Sequence, residues 1–277
     1  MKNRLFVIGA ALVCAALAAS PALAGDDPIQ FAGWVGAAAN GRYFNVSGLN
    51  SDLGAVGITK LSTIWPTLAV QARGLILEKM ILGLQGAGSQ ISLGGGDGVN
   101  AKLTSFGGEL DVGYVVVNGP GGLAYPFLGV GGAETTLHFH GDVHKLGFGP
   151  APGPGVQPAS VLNNATIERS VNYATIGFSY FWPVRFAEDI DGGFGMFLPG
   201  VTAGANLELM GQGWLNNGNL YRGPDLRFNN VFLQIEINFG GGTTEKSEGS
   251  PTAAAPRAPE KPAAPPAPNP PAPAPPQ

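Results

Sequence analysis

The sequence has 277 residues, 15 Lys and Arg against 19 Asp and Glu, and a formal charge of −4; only 12% of it is charged although 44% is hydrophobic. A weakly acidic chain offers no basic surface for nucleic acid, and its single cysteine, Cys14, excludes a disulfide or a Cys-ligated metal site within the chain. Low charge without one long apolar segment, together with 44 Gly and 24 Pro, fits a strand-built membrane protein better than a soluble domain.

In chain order, Lys2 and Arg4 precede an apolar run from Leu5 to Ala19 and then the segment SPALAG. A charged start, an apolar stretch too short to span comfortably and small residues at Ala22 and Ala24 predict a secretory signal over residues 1–24. Cys14 falls inside it, preceded by Val13 rather than by the small residue of a lipoprotein signal. Removing Lys2 and Arg4 takes the formal charge from −4 to −6.

Eight segments then carry strand texture between Gly, Pro, Asn and Asp clusters: 29–39, 64–75, 79–92, 103–117, 123–138, 169–182, 194–210 and 228–239. Leu110, Val112, Tyr114 and Val116 alternate with Glu109, Asp111 and Gly113, and the segments around Ile176 and Leu207 repeat the pattern. In YPFLGVGG, Leu128 and Val130 are assigned to the apolar face, with Gly129 and Gly131 opposite. Successive side chains of a strand leave opposite faces, so each segment has one apolar face and one small, polar or charged face. The last segment does so most strictly: Val231, Leu233, Ile235, Ile237 and Phe239 alternate with Asn230, Phe232, Gln234, Glu236 and Asn238.

Alternation alone does not separate a soluble sandwich from a membrane barrel. The connections do. Those after the second, fourth and sixth segments are short, whereas the others are mostly longer and irregular, as in an up-and-down barrel with turns on one rim and loops on the other. The predicted fold is therefore all-β, an antiparallel transmembrane barrel of eight strands over residues 25–239, with its aliphatic faces toward lipid. Gly129, Gly131, Gly177 and Gly204 would leave space in a lumen only wide enough for side chains. Residues 240–277, with 12 Pro and 9 Ala among the last 27, are read as a disordered tail.

The signal segment, the eight alternating stretches, YPFLGVGG and the terminal Phe239 resemble the OmpA/OmpX-type outer-membrane barrels. The resemblance covers residues 29–239 and implies an outer-membrane location with both termini in the periplasm, a monomer, and contact with outer-membrane lipid and lipopolysaccharide. It also makes Val231, Leu233, Ile235, Ile237 and Phe239 a signal for the barrel-assembly machinery. Such proteins stop at the aromatic residue or continue into a peptidoglycan-binding domain; here only the Pro/Ala hinge follows, so peptidoglycan contact would fall to the tail itself.

Two constellations could carry chemistry. Parity places Arg73, Glu109, Asp111, Arg169, Glu208 and Glu236 in the lumen, where such charges must pair or bond. They would form either a plug that stiffens the barrel or a narrow, cation-favouring ion pore. All three histidines, His138, His140 and His144, stand with Asp142 in HFHGDVH on an external loop, a candidate Zn or Cu site. No Ser lies within that segment, as a deacylase His–Ser pair would need, and no enzymatic activity is expected; no other cofactor is implied. Trp34, Trp65, Tyr114, Tyr125, Trp182 and Phe239 are expected to form interfacial aromatic girdles.

Overall fold

The computed structural model describes residues 28–54, 58–95, 100–119, 121–141, 149–150, 166–187, 189, 192–216, 219–222 and 226–244. The predicted signal, and the tail beyond Thr244, lie outside the described residues.

Eight long strands form a closed ring: β1 Ile29–Phe44, β2 Ile64–Ile76, β3 Met80–Gly94, β4 Asn100–Tyr114, β5 Gly122–His140, β6 Thr166–Phe181, β7 Gly193–Gly211 and β8 Asn230–Thr244. Each pairs antiparallel with the next, and β8 returns to β1 over Ile29–Thr244. A closed ring leaves no strand edge to satisfy in lipid. Hydrogen-bonded partners followed from Ala38 in mid-β1 run through Ala69, Ala87, Gly107, Ala133 and Val171 to Gly211 at the very end of β7. That climb means the strands are tilted and staggered, as closure of a barrel requires. A short helix, α1 (Ser47–Gly54), sits in the first loop.

The inside-out assignment holds in β8: Ile235 is 64% exposed and its neighbour Glu236 is 0% exposed. Leu68, Val70, Leu82, Leu84, Leu110, Val112, Leu128, Val130 and Ile176 also face outward, which makes an apolar belt. On β3 to β6 the outward face turns polar toward the loop rim, at Gln90, Lys102, Glu134, His140 and Glu168. Strands of 13 to 19 residues exceed what the hydrocarbon layer needs, about 9–11, so these four project beyond the belt.

Three features differ from the sequence reading. β1 runs five residues past 39, carrying Asn40 and Arg42 into the ladder. β8 likewise continues past Phe239 through Gly240, Gly241 and Gly242 to Thr244. A side chain at Gly240 would stand 2.0 Å from the Gly33 carbonyl and 2.7 Å from the Trp34 Cβ, so glycine here marks close backbone approach within a strand rather than the start of a linker. The connection from β3 to β4 is also short, residues 95–99, although it lies on the loop rim.

The aromatic girdle is corrected too. Tyr114 and Phe239 face outward, but Trp34, Trp65 and Tyr125 are buried inside the barrel. Trp34 and Trp65 fall on the inward parity of β1 and β2, where their rings help to fill the lumen ends. Trp182 is half-buried, with its ring 4.9 Å from Tyr180.

Candidate functional site: a lumen in three storeys

Inward residues sort by height. At the loop rim, Phe44, Leu49, Leu53, Trp65, Leu103, Leu137, Phe139, Ile167, Tyr173, Trp214 and Phe228 form one buried apolar cluster. Helix α1 joins it through Leu49 and Leu53, and Asn50 pins the helix by accepting from the Leu61 N–H at 2.7 Å and donating to the Leu61 carbonyl at 3.0 Å. The Phe44 and Trp65 rings, on neighbouring strands, pack 4.2 Å apart and tilted by 34°.

At the turn rim, Ile29, Trp34, Leu75, Ile81, Leu123, Tyr125, Phe127, Phe181, Phe194 and Leu198 form a second cluster. The Asn118 side chain closes this floor, accepting from the Ile29 N–H at 3.1 Å and donating to the Ile29 carbonyl at 2.8 Å.

Between the two seals lies a polar storey. The Arg73 Nη1 of β2 donates to the Glu236 Oε2 of β8 at 2.8 Å, and the Arg73 Nε lies 3.9 Å from the Asp111 Oδ2 of β4. Glu236 accepts further hydrogen bonds from Gln234 at 2.8 Å, from Gln71 and from Thr202. A buried carboxylate with four donors is fully compensated for the water it has lost. Gln234 also bonds Asn40 and Gln85, and Asn238 accepts from Gln71 at 2.8 Å while donating to the Leu198 carbonyl at 3.1 Å. Glu109 accepts from Thr175 at 2.7 Å.

Missing side chains make this crowding feasible. A Cβ at Gly83 would stand 2.3 Å from Asp111 Oδ2, and one at Gly129 would stand 2.7 Å from Glu109 Oε1. Gly131, Gly177 and Gly204 receive the rings of Tyr173, Phe127 and Phe232, so the four glycines singled out in the sequence do leave room in the lumen. Near Arg42, Thr67, Ser89 and Ser105 the lumen keeps a cavity of about 10 Å³, enough for one water-sized molecule.

The six charged residues assigned to the lumen all point inward, but they form two groups. Arg73, Asp111, Glu236 and Glu109 share the middle storey. Arg169 and Glu208 pair with each other at 2.6 Å near the loop rim, where Glu208 also accepts from the Phe228 N–H at 2.8 Å. Sequence reasoning missed Gln71, Thr202 and Arg42. The first two lie on the inward parity of their strands and carried a signal, while Arg42 lay beyond the predicted end of β1.

His138 and His140 face outward on β5 above the apolar belt, whereas Asp142 and His144 lie outside the described residues. The five assembly-signal positions all face outward on β8.

No family model matches the sequence, and no curated protein does. Among solved structures, the chain is similar to Ail, the attachment invasion locus protein of Yersinia pestis, at 8% identity, covering 77% of this chain and 99% of that one with a TM-score of 0.36. It is similar to the N-terminal β-barrel domain of Pseudomonas aeruginosa OprF at 11% identity, covering 75% and 96%, TM-score 0.32. The outer membrane protein OprG of P. aeruginosa matches at 12% identity, covering 78% and 97%, TM-score 0.32.

Proposed function

We propose that the chain is an outer-membrane barrel with a closed lumen, whose role is structural or surface-interacting: membrane integrity, adhesion at the loop rim, or tethering toward the cell wall. The observation that carries this reading is the double seal. Apolar clusters close both rims, and the polar storey between them is hydrogen-bonded across the barrel rather than arranged around an open path. The excess of Glu109, Asp111 and Glu236 over Arg73 and Arg42 would favour cations if a path opened, so a narrow pore is the competing reading. Planar-bilayer recording of the folded protein separates the two: silence is expected, and reproducible conductance steps would establish the pore.

Ile29 and Thr244 pair at the rim of short turns, which supports placing both barrel ends in the periplasm. Lipid would then meet the apolar belt, lipopolysaccharide the polar wall above it, and the assembly machinery the outward face of β8. Peptidoglycan contact is assigned to the Pro/Ala segment with its Lys246, Arg257 and Lys261. Because β8 extends to Thr244, the informative truncation is after Glu245. It should lower co-sedimentation with peptidoglycan while leaving thermal stability unchanged; equal co-sedimentation would remove the tethering role.

A further inference from the structure

The outward wall of β5 above the belt carries two imidazoles side by side. His138 and His140 are two residues apart on one strand, so both project from the same face, and their ring centres stand 4.3 Å apart with planes at 81°. The His138 Nδ1 is engaged by the Thr166 Oγ1 on the neighbouring strand. When that hydroxyl accepts from Nδ1–H, the Nε2 lone pair is left for a metal ion, the arrangement in which a ligating ring is held from behind through its other nitrogen.

We propose that His138 and His140 form a two-imidazole site for a first-row divalent ion, with Cu²⁺ or Zn²⁺ completed by water. The spacing fits. A metal–nitrogen bond of about 2.0–2.1 Å puts the ion roughly 3.2 Å from each ring centre. Ring centres 4.3 Å apart, packed edge to face, let both arms reach one ion at roughly 85–90° once side-chain rotation turns a nitrogen of each ring toward it, the angle between adjacent ligands of a tetragonal Cu²⁺ ion. Among the described residues no third His, Cys, Asp or Glu joins the pair as a cluster, so the site is open rather than structural. Lys102 lies opposite His138 across the β4–β5 ladder. On the other side, Glu168 of β6 faces outward opposite Thr136 and diagonal to His138, a carboxylate that offsets the lysine charge near the bound cation.

The chain holds only three histidines, which makes the test clean. The untagged full chain, folded in detergent, is titrated with Cu²⁺ and with Zn²⁺ by calorimetry, and the Cu²⁺ complex is read by pulsed electron paramagnetic resonance. One ion per chain with two coupled imidazoles is expected, with His138→Gln and His140→Gln each weakening binding at least about tenfold and His144→Gln leaving it intact. Heat-modifiable migration checks that each variant is folded. A single coupled imidazole, or unchanged binding in both the His138 and His140 variants, would overturn the site, as would an equal loss in His144→Gln.

Discussion

Arg73 and Glu236 stand 163 residues apart in sequence and 2.8 Å apart in the lumen, joining the second strand of the barrel to the last. Both side chains are almost fully withdrawn from solvent. Removing one partner strands the other charge, so Arg73→Met or Glu236→Leu alone should destabilise the barrel by about 3–5 kcal/mol. Replacing both, Arg73→Met with Glu236→Leu, should cost less than the sum of the two single losses, although Gln71, Gln234, Thr202 and Asp111 still lose their partners. Equilibrium unfolding in detergent across the double-mutant cycle measures the coupling; strictly additive losses would mean the pair is not an energetic unit.

Neighbouring positions on β8 should respond in opposite ways. Ile235→Arg sets a charge against lipid near mid-bilayer and should cost about 2–4 kcal/mol, while Ile235→Leu should be nearly silent. At Gln234, polarity decides instead. Gln234→Leu removes the partner of Asn40, Gln85, Gln71 and Glu236 and should cost about 1–3 kcal/mol for buried groups left unmade. Unfolding in lipid vesicles reads both, and an equal response to leucine at the two positions would contradict the assignment of faces.

The hairpin between β2 and β3 is built on the wrong residues for its shape. Leu77 and Glu78 take φ values of 50° and 61°, which L-residues reach at a cost of about 1–2 kcal/mol each and which Asn-Gly adopts readily. Leu77→Asn with Glu78→Gly should therefore raise stability, with the Glu78 N–H still donating to the Gln30 carbonyl. A lower unfolding midpoint in urea would refute this.

Conductance should need more than the loss of the apolar seals. Trp65→Ala removes a fully buried ring from the loop-rim seal and Trp34→Ala one from the turn-rim seal, each costing about 3–5 kcal/mol. Either alone leaves the other apolar cluster in place and the bilayer silent. Even the pair, in the fraction that still folds, should stay silent because the hydrogen-bonded polar storey fills the lumen between them, and steps in any of the three variants would mean that this storey is not closed.

Much of this was legible in the sequence because a period of two is a strong signal where one face meets lipid. Val231 to Phe239 could be sorted by parity alone, and with them the inward fate of Glu236. Parity says nothing about height along the axis, which depends on strand tilt and on ladder register around the whole ring. Arg169 and Glu208 were thus placed inside but not separated from Arg73. The same blindness put Trp34 and Trp65 into a lipid girdle when their rings close the lumen. Phe239 was taken as the end of β8 because the alternating run closes on that aromatic residue, although at Gly240 the absence of a side chain lets the ladder continue against Trp34.

The polar storey also bears on how the chain reaches its membrane. Its central carboxylate, Glu236, belongs to the strand synthesised last, and it is the partner of Arg73, Gln71 and Thr202 on strands made earlier. Until β8 arrives, an open seven-strand sheet carries Arg73 without its Glu236 partner, with Asp111 no nearer than 3.9 Å, and two unpaired edges. Such a sheet is poorly soluble in hydrocarbon, so the lipid itself discriminates against chains that end early. The inward face of the final strand, and not only its outward apolar row, thus supplies what a barrel needs before its lumen charges can sit within hydrocarbon.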